Sequence, residues 1–295
     1  MDRLLDLSDQ LAAAVQRAGQ SVLAVHGRPR IPSTGIHWRS GLIVTANHTL
    51  QTEEDLSVTG PTGESSRVTV AGRDPGLDIA VLKIATVAGT VAELGDSDAV
   101  RVGHMVLALG SGPRASWGVV SAISAASSRR EEHDVFSLDL RLYPGFSGGP
   151  LVDAHGAVVG VNTSGVSRHL HLAIPAKAVD RVVDAVVRHG RVPQAFLGVS
   201  TQQIRVPDGA REEGSGGRDR AVIVVEVQPG SPAAAGLLVG DVILALDGVA
   251  VTDPLDLRRA LRPERIGQRV AASVLRAGRV VEVALTVGER PDRAR

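Results

Sequence analysis

Short apolar runs separated by turn residues dominate the chain from about residue 21 to residue 175. Many short strands at this spacing are typical of an antiparallel sandwich or barrel. No long helical period interrupts them, so the pattern disfavours a parallel α/β sheet. The clearest of these predicted strands are 41–44, 66–70, 79–84, 105–109 and 157–161.

Two helical periods frame this β region. Apolar residues recur at helical spacing within residues 2–18 and predict a first helix. A second period predicts a helix over residues 176–189, which Gly190 ends. Pro193 then marks a boundary, and we expect a domain break at 190–195. The apolar positions of the two periods are Leu4, Leu7, Leu11, Val15 and Ala18, then Val179, Val182, Val183, Val186 and Val187.

The remaining part, residues 196–289, has strands and helix starts of its own. Ser231-Pro232 and Asp253-Pro254 each place a capping residue before a proline, as at the first turn of a helix. Residues 206–220 are rich in Gly, Asp, Glu and Arg and predict a surface loop. The strands predicted here are 196–200, 221–227, 241–246, 269–275 and 280–287.

Composition narrows the class of protein. The 295 residues are 43% apolar but only 2% aromatic, so Val, Leu, Ala and Ile fill the core. Basic and acidic residues balance at 32 each, which disfavours general affinity for nucleic acid or an anionic membrane. The lack of cysteine excludes disulfides, thiolate catalysis and zinc-thiolate sites.

The sequence as it stands predicts a cytoplasmic protein. No uncharged run approaches the length of a membrane helix. The first residues lack the basic leader and apolar core of a signal peptide. A periplasmic or other extracytoplasmic location is the alternative, if an upstream exporting segment is missing.

Ser147 lies in a stretch of glycines and prolines, Tyr143-Pro144-Gly145-Phe146-Ser147-Gly148-Gly149-Pro150. A serine hydroxyl is a poor nucleophile until a base takes its proton. Glycines let backbone N–H groups approach a reacting carbonyl closely. Taken alone, such a run is usually a turn, so a catalytic interpretation requires a histidine and a carboxylate elsewhere.

His48 and Asp78 are the candidates for those two groups. His48 follows an apolar strand, and Asp78 begins another between Leu77 and Ile79. A carboxylate in such surroundings is partly buried and needs a partner. The alternatives are a surface histidine and a turn aspartate, although Asp74, before Pro-Gly, fits the turn role better. The order His, Asp, Ser along a β-rich chain is that of the chymotrypsin arrangement.

Four segments resemble the HtrA/Deg-type trypsin-like serine proteases. That family's motifs are Thr-Asn-Asn-His, Asp-Leu-Ala-Val-Leu and Gly-Asn-Ser-Gly-Gly-Pro-Leu, and a later segment is Phe-Ala-Ile-Pro. The resemblance covers nearly the whole chain. The matching segments are Thr45-Ala46-Asn47-His48, Asp78-Ile79-Ala80-Val81-Leu82, Gly145-Phe146-Ser147-Gly148-Gly149-Pro150-Leu151 and Leu172-Ala173-Ile174-Pro175.

The resemblance implies a mainly β protein, with a chymotrypsin-like double β-barrel followed by a small α+β PDZ domain. The active site would lie in the cleft between the barrels. The expected organisation is an N-terminal helix at 1–20, a protease domain at 21–190, a linker at 191–195, a PDZ domain at 196–289 and a tail at 290–295.

The resemblance also implies the roles of the site residues. Ser147 is the expected nucleophile, His48 the general base and then acid, and Asp78 the orienting carboxylate. Backbone N–H groups of Gly145 and Ser147 are expected to form the oxyanion hole. No cofactor and no metal is implied.

Two residues near the serine depart from the family pattern. Phe146 replaces the usual Asn, and we expect it to narrow the leaving-group side of the cleft or to favour apolar substrate residues. Tyr143 replaces a polar residue near the expected primary specificity pocket. Residues 127–133 fall where the family carries a regulatory loop. Arg129 or Arg130 is a candidate activation relay there, and a solvated charge run is the alternative.

Residues 221–225, 229–233 and 240–248 of the C-terminal part, with the predicted helix at 254–261, resemble a protease-associated PDZ domain. Such domains add an extended peptide to a sheet edge and bind its terminal carboxylate in a loop of backbone N–H groups. Leu257 and Leu261 either line the side-chain pocket or fill the core. By the resemblance, the residues that bind peptide C-termini are Phe196, Leu197, Gly198 and Val199.

The resulting hypothesis is an ATP-independent serine endopeptidase. It would cleave unfolded or damaged proteins in protein quality control, with PDZ-mediated peptide recognition or regulation. The alternative is a latent protease acting as a peptide-binding or chaperone-like module. Family members usually form trimers; because no aromatic residue precedes Trp38, a homotrimer here would need aliphatic contacts.

A rival motif is the nucleophile elbow of α/β-hydrolases, which residues 145–149 also satisfy. That motif needs a helix after the serine, and then Asp and His downstream. Residues 150–152 and 157–161 have the pattern of strands, which disfavours it.

Overall fold

The computed structural model describes residues 3–53, 55–85, 89–112, 114–124, 135–165, 170–206, 219–261 and 263–291. The fold is mainly β, as the sequence predicts. The chain forms two compact units, Met1–Val192 (unit 1) and Pro193–Arg295 (unit 2). The candidate relay segment 127–133 and residues 207–218 of the predicted loop lie outside the described residues.

Unit 1 begins with helix α1 (Arg3–Gly19) and ends with helix α2 (Ala176–His189). Its first strands form one antiparallel sheet in the order β5-β4-β1-β2-β3-β7-β6. These strands are β1 (Val22–His26), β2 (Ser33–Arg39), β3 (Leu42–Ala46), β4 (Ser57–Thr59), β5 (Ser65–Arg67), β6 (Thr69–Asp74) and β7 (Ile79–Lys83).

The second sheet of unit 1 closes into a six-stranded barrel. Its order is β10-β13-β12-β11-β8-β9, and the sheet pairs are antiparallel. The strands are β8 (Met105–Gly110), β9 (Arg114–Ser124), β10 (Val135–Asp139), β11 (Pro150–Val152), β12 (Val158–Thr163) and β13 (His171–Pro175).

Helix α2 packs its valines into a core shared by the two sheets. Four of the five valines predicted to lie on its apolar face are buried, but Val187 is exposed. Gly190 ends the helix in the left-handed conformation, with φ +70°. Of the apolar positions predicted for α1, Ala18 is buried and Leu11 and Val15 are partly buried against the core, whereas Leu4 and Leu7 are exposed.

The described residues of unit 2 form a sheet in the order β15-β16-β17-β19-β20 and include a seven-residue α-helix; β18 pairs with β17, and β14 pairs with β21. The larger of its core clusters contains fifteen buried described residues, from Leu197 to Val287. The elements are β14 (Ala195–Phe196), β15 (Val199–Arg205), β16 (Arg220–Val227), β17 (Val242–Leu246), β18 (Val249–Ala250), α3 (Pro254–Ala260), β19 (Arg269–Arg276), β20 (Arg279–Thr286) and β21 (Gly288–Glu289).

The two predicted helix starts of unit 2 differ in outcome. Asp253 caps α3, since its carboxylate accepts the N–H of Asp256 at 2.8 Å. The segment after Ser231 is a 3-10 turn, and Ser231 does not cap it: its hydroxyl donates to the Gly198 carbonyl. The described residues contain four 3-10 helices, at Asn47–Thr49, Ser97–Ala99, Pro232–Ala235 and Pro263–Arg265.

Among the helices of the described residues, none has both the length and the apolar character that a membrane crossing requires.

Candidate active site

His48 and Asp78 meet because β3 and β7 are antiparallel neighbours. Ala46 pairs with Ile79, so the residues just after β3 and just before β7 lie at one edge of the sheet. There the Asp78 carboxylate accepts the His48 backbone N–H at 2.8 Å, and it contacts the ring Nδ1 at 2.7 Å. The carboxylate is buried, whereas the His48 side chain is about a third exposed.

Asp78 has an unusual backbone conformation, with φ +58°. Aspartate tolerates this left-handed region better than most residues, although the conformation is sparsely populated. Its carbonyl accepts the Asn47 N–H at 2.9 Å, which fixes the backbone beside His48. The turn role falls to Asp74, whose carboxylate accepts the N–H groups of Gly76 and Leu77.

Thr163, at the end of β12 in the closed barrel, completes the partners of Asp78. Its hydroxyl donates to the carboxylate oxygen that contacts the His48 ring, and it accepts the Gly165 N–H at 3.0 Å. Gly165 lies directly against the pair: a Cβ there would stand 2.5 Å from His48 Nδ1 and 2.6 Å from Asp78 Oδ2. The Asp78 carboxylate is therefore held by residues of both sheets.

Ser147 follows a tight turn formed by residues 143–146. The Phe146 N–H donates to the Tyr143 carbonyl at 3.0 Å, and Gly145 has φ +94°. A proline at the second position and a positive φ at the third define a type II turn. Glycine is the residue that adopts this conformation without a steric penalty.

Thr34 of β2 fixes this turn from the other sheet. Its hydroxyl donates to the Gly145 carbonyl at 2.6 Å and accepts the Ser111 N–H at 2.8 Å. Its backbone N–H donates to the Ser147 carbonyl at 3.1 Å. Thr34 therefore donates hydrogen bonds to the carbonyls of both Gly145 and Ser147.

Arg114 holds the Pro144 carbonyl. Its guanidinium donates to Pro144 O at 3.3 Å and to Ser111 O at 3.0 Å. The Pro144 carbonyl and the Gly145 N–H belong to one trans peptide plane and point in opposite directions. The Gly145 N–H is therefore directed away from Arg114.

The N–H groups of Gly145 and Ser147 donate to no acceptor among the described residues. Both residues line a cavity of about 440 Å³, together with Ser164 and Tyr143. The Ser147 hydroxyl is 2.9 Å from the Ser164 hydroxyl. Within the described part of the chain it forms no hydrogen bond with the His48 ring.

The expectation for Phe146 is wrong. Its side chain is 1% exposed and packs in the core of the closed barrel, so it neither narrows the cleft nor contacts substrate. A Cβ at Gly110 would lie 2.6 Å from the Phe146 ring, which shows that Gly110 makes the room. Tyr143 does line the cavity and is 46% exposed.

In unit 2, the predicted peptide-binding residues 196–199 have two carbonyls that accept hydrogen bonds and two N–H groups that find no acceptor among the described residues. Leu197 O accepts the Ala233 N–H, and Gly198 O accepts the Gln228 N–H, both at 2.8 Å. The N–H groups of Leu197 and Gly198 have no acceptor among the described residues. Leu257 is buried in the core, while Leu261 is partly buried against it.

The sequence interpretation missed Thr34, Arg114, Thr163, Ser164 and Gly165. Only the last three have a local signal, because a polar run, Asn162 to Gly165, follows the apolar residues of β12.

The chain matches two protein families. Residues 33–161 match the trypsin-like peptidase domain, and residues 195–287 match the PDZ domain. Two curated relatives are both described as "Probable periplasmic serine endoprotease DegP-like". The Chlamydia pneumoniae protein is 34% identical over 85% of this chain and 53% of its own length. The Brucella suis protein is 32% identical over 90% of this chain and 54% of its own length. The chain thus spans about half the length of these relatives.

Solved structures match over nearly the full length of both chains. The structure described as "HtrA-type protease AlgW with decapeptide" has a TM-score of 0.74 at 29% identity, covering 96% of this chain and 99% of its own. The structure of AlgW with a tripeptide has a TM-score of 0.72 at 31% identity, covering 96% and 98%. With both family matches, they confirm the resemblance: the chain belongs to the HtrA-type trypsin-like serine proteases that carry a PDZ domain.

Proposed function

We propose that the chain is an ATP-independent serine endopeptidase that cleaves unfolded or damaged proteins in protein quality control. The observation that carries this proposal is the Ser164-Gly165 segment. Ser164 contacts the Ser147 hydroxyl, and the next residue lies against the His48–Asp78 pair. Two adjacent residues thus bring the proposed nucleophile and the proposed base to one place.

In the proposed mechanism, the Ser147 side chain turns from Ser164 to the His48 Nε2, which removes its proton during attack on the scissile carbonyl. The Asp78 carboxylate holds Nδ1–H and stabilises the imidazolium that forms. The N–H groups of Gly145 and Ser147 donate to the oxyanion of the tetrahedral intermediate. His48 then protonates the leaving amine, and water releases the acyl group by the same steps.

Unit 2 supplies the proposed peptide recognition. The unpartnered N–H groups of Leu197 and Gly198 suit a terminal carboxylate. Strand β15, which begins at Val199, is the end strand of its sheet and offers an edge for an added peptide strand. The two matching AlgW structures are described as being with a decapeptide and with a tripeptide, which supports this assignment.

We propose the domain organisation predicted from the sequence, with the protease domain at 21–190 and the PDZ domain at 196–289. The unit boundary after Val192 and the two family matches support it. We also propose an extracytoplasmic location, because the relatives' names contain the word periplasmic. Fractionation of cells carrying the tagged native gene tests the location.

We propose a homotrimer as the assembly. Exposed leucines on α1, at positions 4, 5 and 7, provide the aliphatic surface for such contacts. Mass measurement in solution tests this, since a trimer contains three copies of a 30.7 kDa chain. A monomer at all concentrations contradicts it.

Turnover of casein without ATP tests the proposed activity. We expect the wild-type chain to degrade casein, and Ser147→Ala and His48→Ala to abolish degradation. Ser8→Ala and His189→Ala are matched controls on exposed helix positions and should retain full activity. Casein turnover that survives in Ser147→Ala contradicts the proposal.

The bond between Ser147 and Ser164 favours a second candidate, a latent protease that acts as a peptide-binding or chaperone-like module. In that case the hydroxyl stays with Ser164 and the wild type binds peptides without cleaving them. Turnover measured with and without peptides that carry a free C-terminus separates the two. Casein cleavage under either condition excludes a purely binding role.

A further inference from the structure

The cavity beside Ser147 is cationic on one wall. Arg28 and Arg30 line it, and they are the only charged residues among its described lining residues. Neither forms an ion pair with another described residue. Two arginines that pair with no described carboxylate, next to the proposed nucleophile, are suited to bind a negatively charged group.

The loop at residues 28–31 presents these side chains in a defined way. Arg28 Nε donates to the Ile31 carbonyl at 2.9 Å, which orients its guanidinium and leaves the terminal donors for a ligand. Arg30 has φ +76°, a conformation that is uncommon for a residue other than glycine. Such strained backbone is concentrated at binding and catalytic sites.

The positive charge extends around the turn before Ser147. The Arg141 guanidinium lies 5.2 Å from the centre of the Tyr143 ring, and Arg114 contacts the Pro144 carbonyl. The whole chain is balanced, with 32 basic and 32 acidic residues, so this concentration is local. A cleft lined by one sign of charge attracts ligands of the opposite sign.

We propose that Arg28 and Arg30 form a subsite for an acidic side chain, Asp or Glu, of the substrate close to the scissile bond. This inference rests on the proposed endopeptidase function, because the cavity contains the proposed nucleophile. A guanidinium binds a carboxylate through charge-assisted, often bidentate, hydrogen bonds. The preferred substrates are therefore unfolded segments that carry acidic residues next to the cleavage position.

The test begins with a peptide library made from a tryptic digest of casein and other proteins, with cleavage positions mapped by mass spectrometry. We expect Asp and Glu to be enriched at one or two positions within three residues of the cleaved bond. Matched fluorogenic peptides then carry Glu or Gln at that position. We expect kcat/KM to be about tenfold higher for the Glu peptide at low salt, and the ratio to fall as salt is added.

Variants assign this preference to the two arginines. In Arg28→Gln with Arg30→Gln, the Glu to Gln ratio should approach one, and each single variant should lie between. Arg181→Gln removes the same charge from an exposed position on α2, so it should keep the wild-type ratio. Arg28→Lys with Arg30→Lys keeps the charge and should retain part of the preference.

The outcomes separate this inference from the proposed function. No cleavage of any peptide, with no reaction of Ser147 with a fluorophosphonate, overturns both. Cleavage with equal rates for Glu and Gln peptides overturns only the subsite, and so does a preference unchanged in the double glutamine variant. As a measurement independent of turnover, the Glu peptide should bind Ser147→Ala more tightly than the Gln peptide does, and equal affinity contradicts the subsite.

Discussion

Two buried aspartates, Asp78 in unit 1 and Asp241 in unit 2, have nearly the same surroundings. Asp78 is 5% exposed and Asp241 2% exposed. Each carboxylate accepts a backbone N–H at 2.8 Å and also contacts a nitrogen-containing side chain at 2.7–2.8 Å. Burial and hydrogen bonding alone therefore do not distinguish a catalytic carboxylate from a structural one.

The partners make the difference. Arg276 keeps its charge, and its guanidinium also donates to the Gly236 carbonyl. Its pair with Asp241 therefore cannot exchange a proton. Burial alone would raise the pKa of Asp241, but hydrogen bonds from Arg276 and the Leu238 N–H outweigh it and hold that pKa below its ordinary value. His48 has one ring nitrogen on Asp78 and a side chain that is partly exposed. A buried aspartate becomes a catalytic candidate when its partner can exchange a proton at a cleft.

Asp78→Asn removes the proposed catalytic carboxylate and has the largest expected effect. An amide in place of the carboxylate no longer stabilises a protonated His48 ring or fixes its tautomer. We expect casein turnover to fall by about four orders of magnitude, as loss of this role does in a triad of this type. Asp74→Asn, in a turn nearby, is the control and should change turnover less than twofold. Equal losses in both variants contradict the assignment.

Gly165→Ala tests how closely the proposed catalytic pair, His48 and Asp78, is packed. The added methyl group would stand within 2.6 Å of both His48 Nδ1 and Asp78 Oδ2, so the pair must separate. We expect kcat to fall by about a hundredfold, since small misplacements of catalytic groups have effects of this size. Gly19→Ala adds the same group where no atom lies within 4 Å, and it should leave kcat unchanged.

Asp241→Asn should lower the stability of unit 2, whereas Asp78→Asn should lower casein turnover. It leaves Arg276 without its carboxylate, and because that side chain is a third exposed, we expect a loss of about 2 kcal/mol in the stability of unit 2. Hydrogen exchange of β17 and β19 amides, measured on the full chain by mass spectrometry, reports it. Unchanged exchange rates contradict the structural role.

The pH dependence of this loss follows from the lowered pKa of Asp241. A carboxyl whose pKa is lower in the folded state contributes stability above its unfolded value, 3.8, and loses it as the pH falls below that value. The difference in exchange between wild type and Asp241→Asn should therefore be full near pH 7 and shrink below about pH 4. A difference that grows in acid contradicts this sign.

Arg114→Gln has the smallest expected effect and concerns the serine side of the site. Without the guanidinium, the Pro144–Gly145 peptide plane is free to flip. A flip would turn the Gly145 N–H, one proposed oxyanion donor, away from the cavity part of the time. We expect kcat to fall about tenfold with KM unchanged, because this donor acts on the transition state. Arg114→Lys should recover part of the rate. A change in KM alone would assign Arg114 to substrate binding.

Local pattern could predict the parts of the site that follow from local structure. His48 and Asp78 flank apolar strands, and antiparallel pairing of those strands brings them together. The period of the α2 valines likewise gives that helix its correct bounds. Each of these rests on residues close together in the sequence or on one strand pair.

The remaining contacts join segments that are distant in sequence. Thr163 is 85 residues from Asp78, and Thr34 is 111 residues from Gly145. Phe146 was misinterpreted for the same reason, since Gly110 of β8 makes room for its ring in the barrel core. A single sequence has no signal for such pairs, because each partner is an ordinary residue in its own segment.

The most direct test of the account is to locate the reactive serine with a fluorophosphonate probe. After reaction of the full chain, mass spectrometry of proteolytic fragments should show one adduct per chain, on Ser147. His48→Ala should react far more slowly, and Ser147→Ala should not react. An adduct on Ser164 instead, or an unlabelled wild-type chain under conditions where casein is cleaved, would contradict the assignment of Ser147 as the nucleophile.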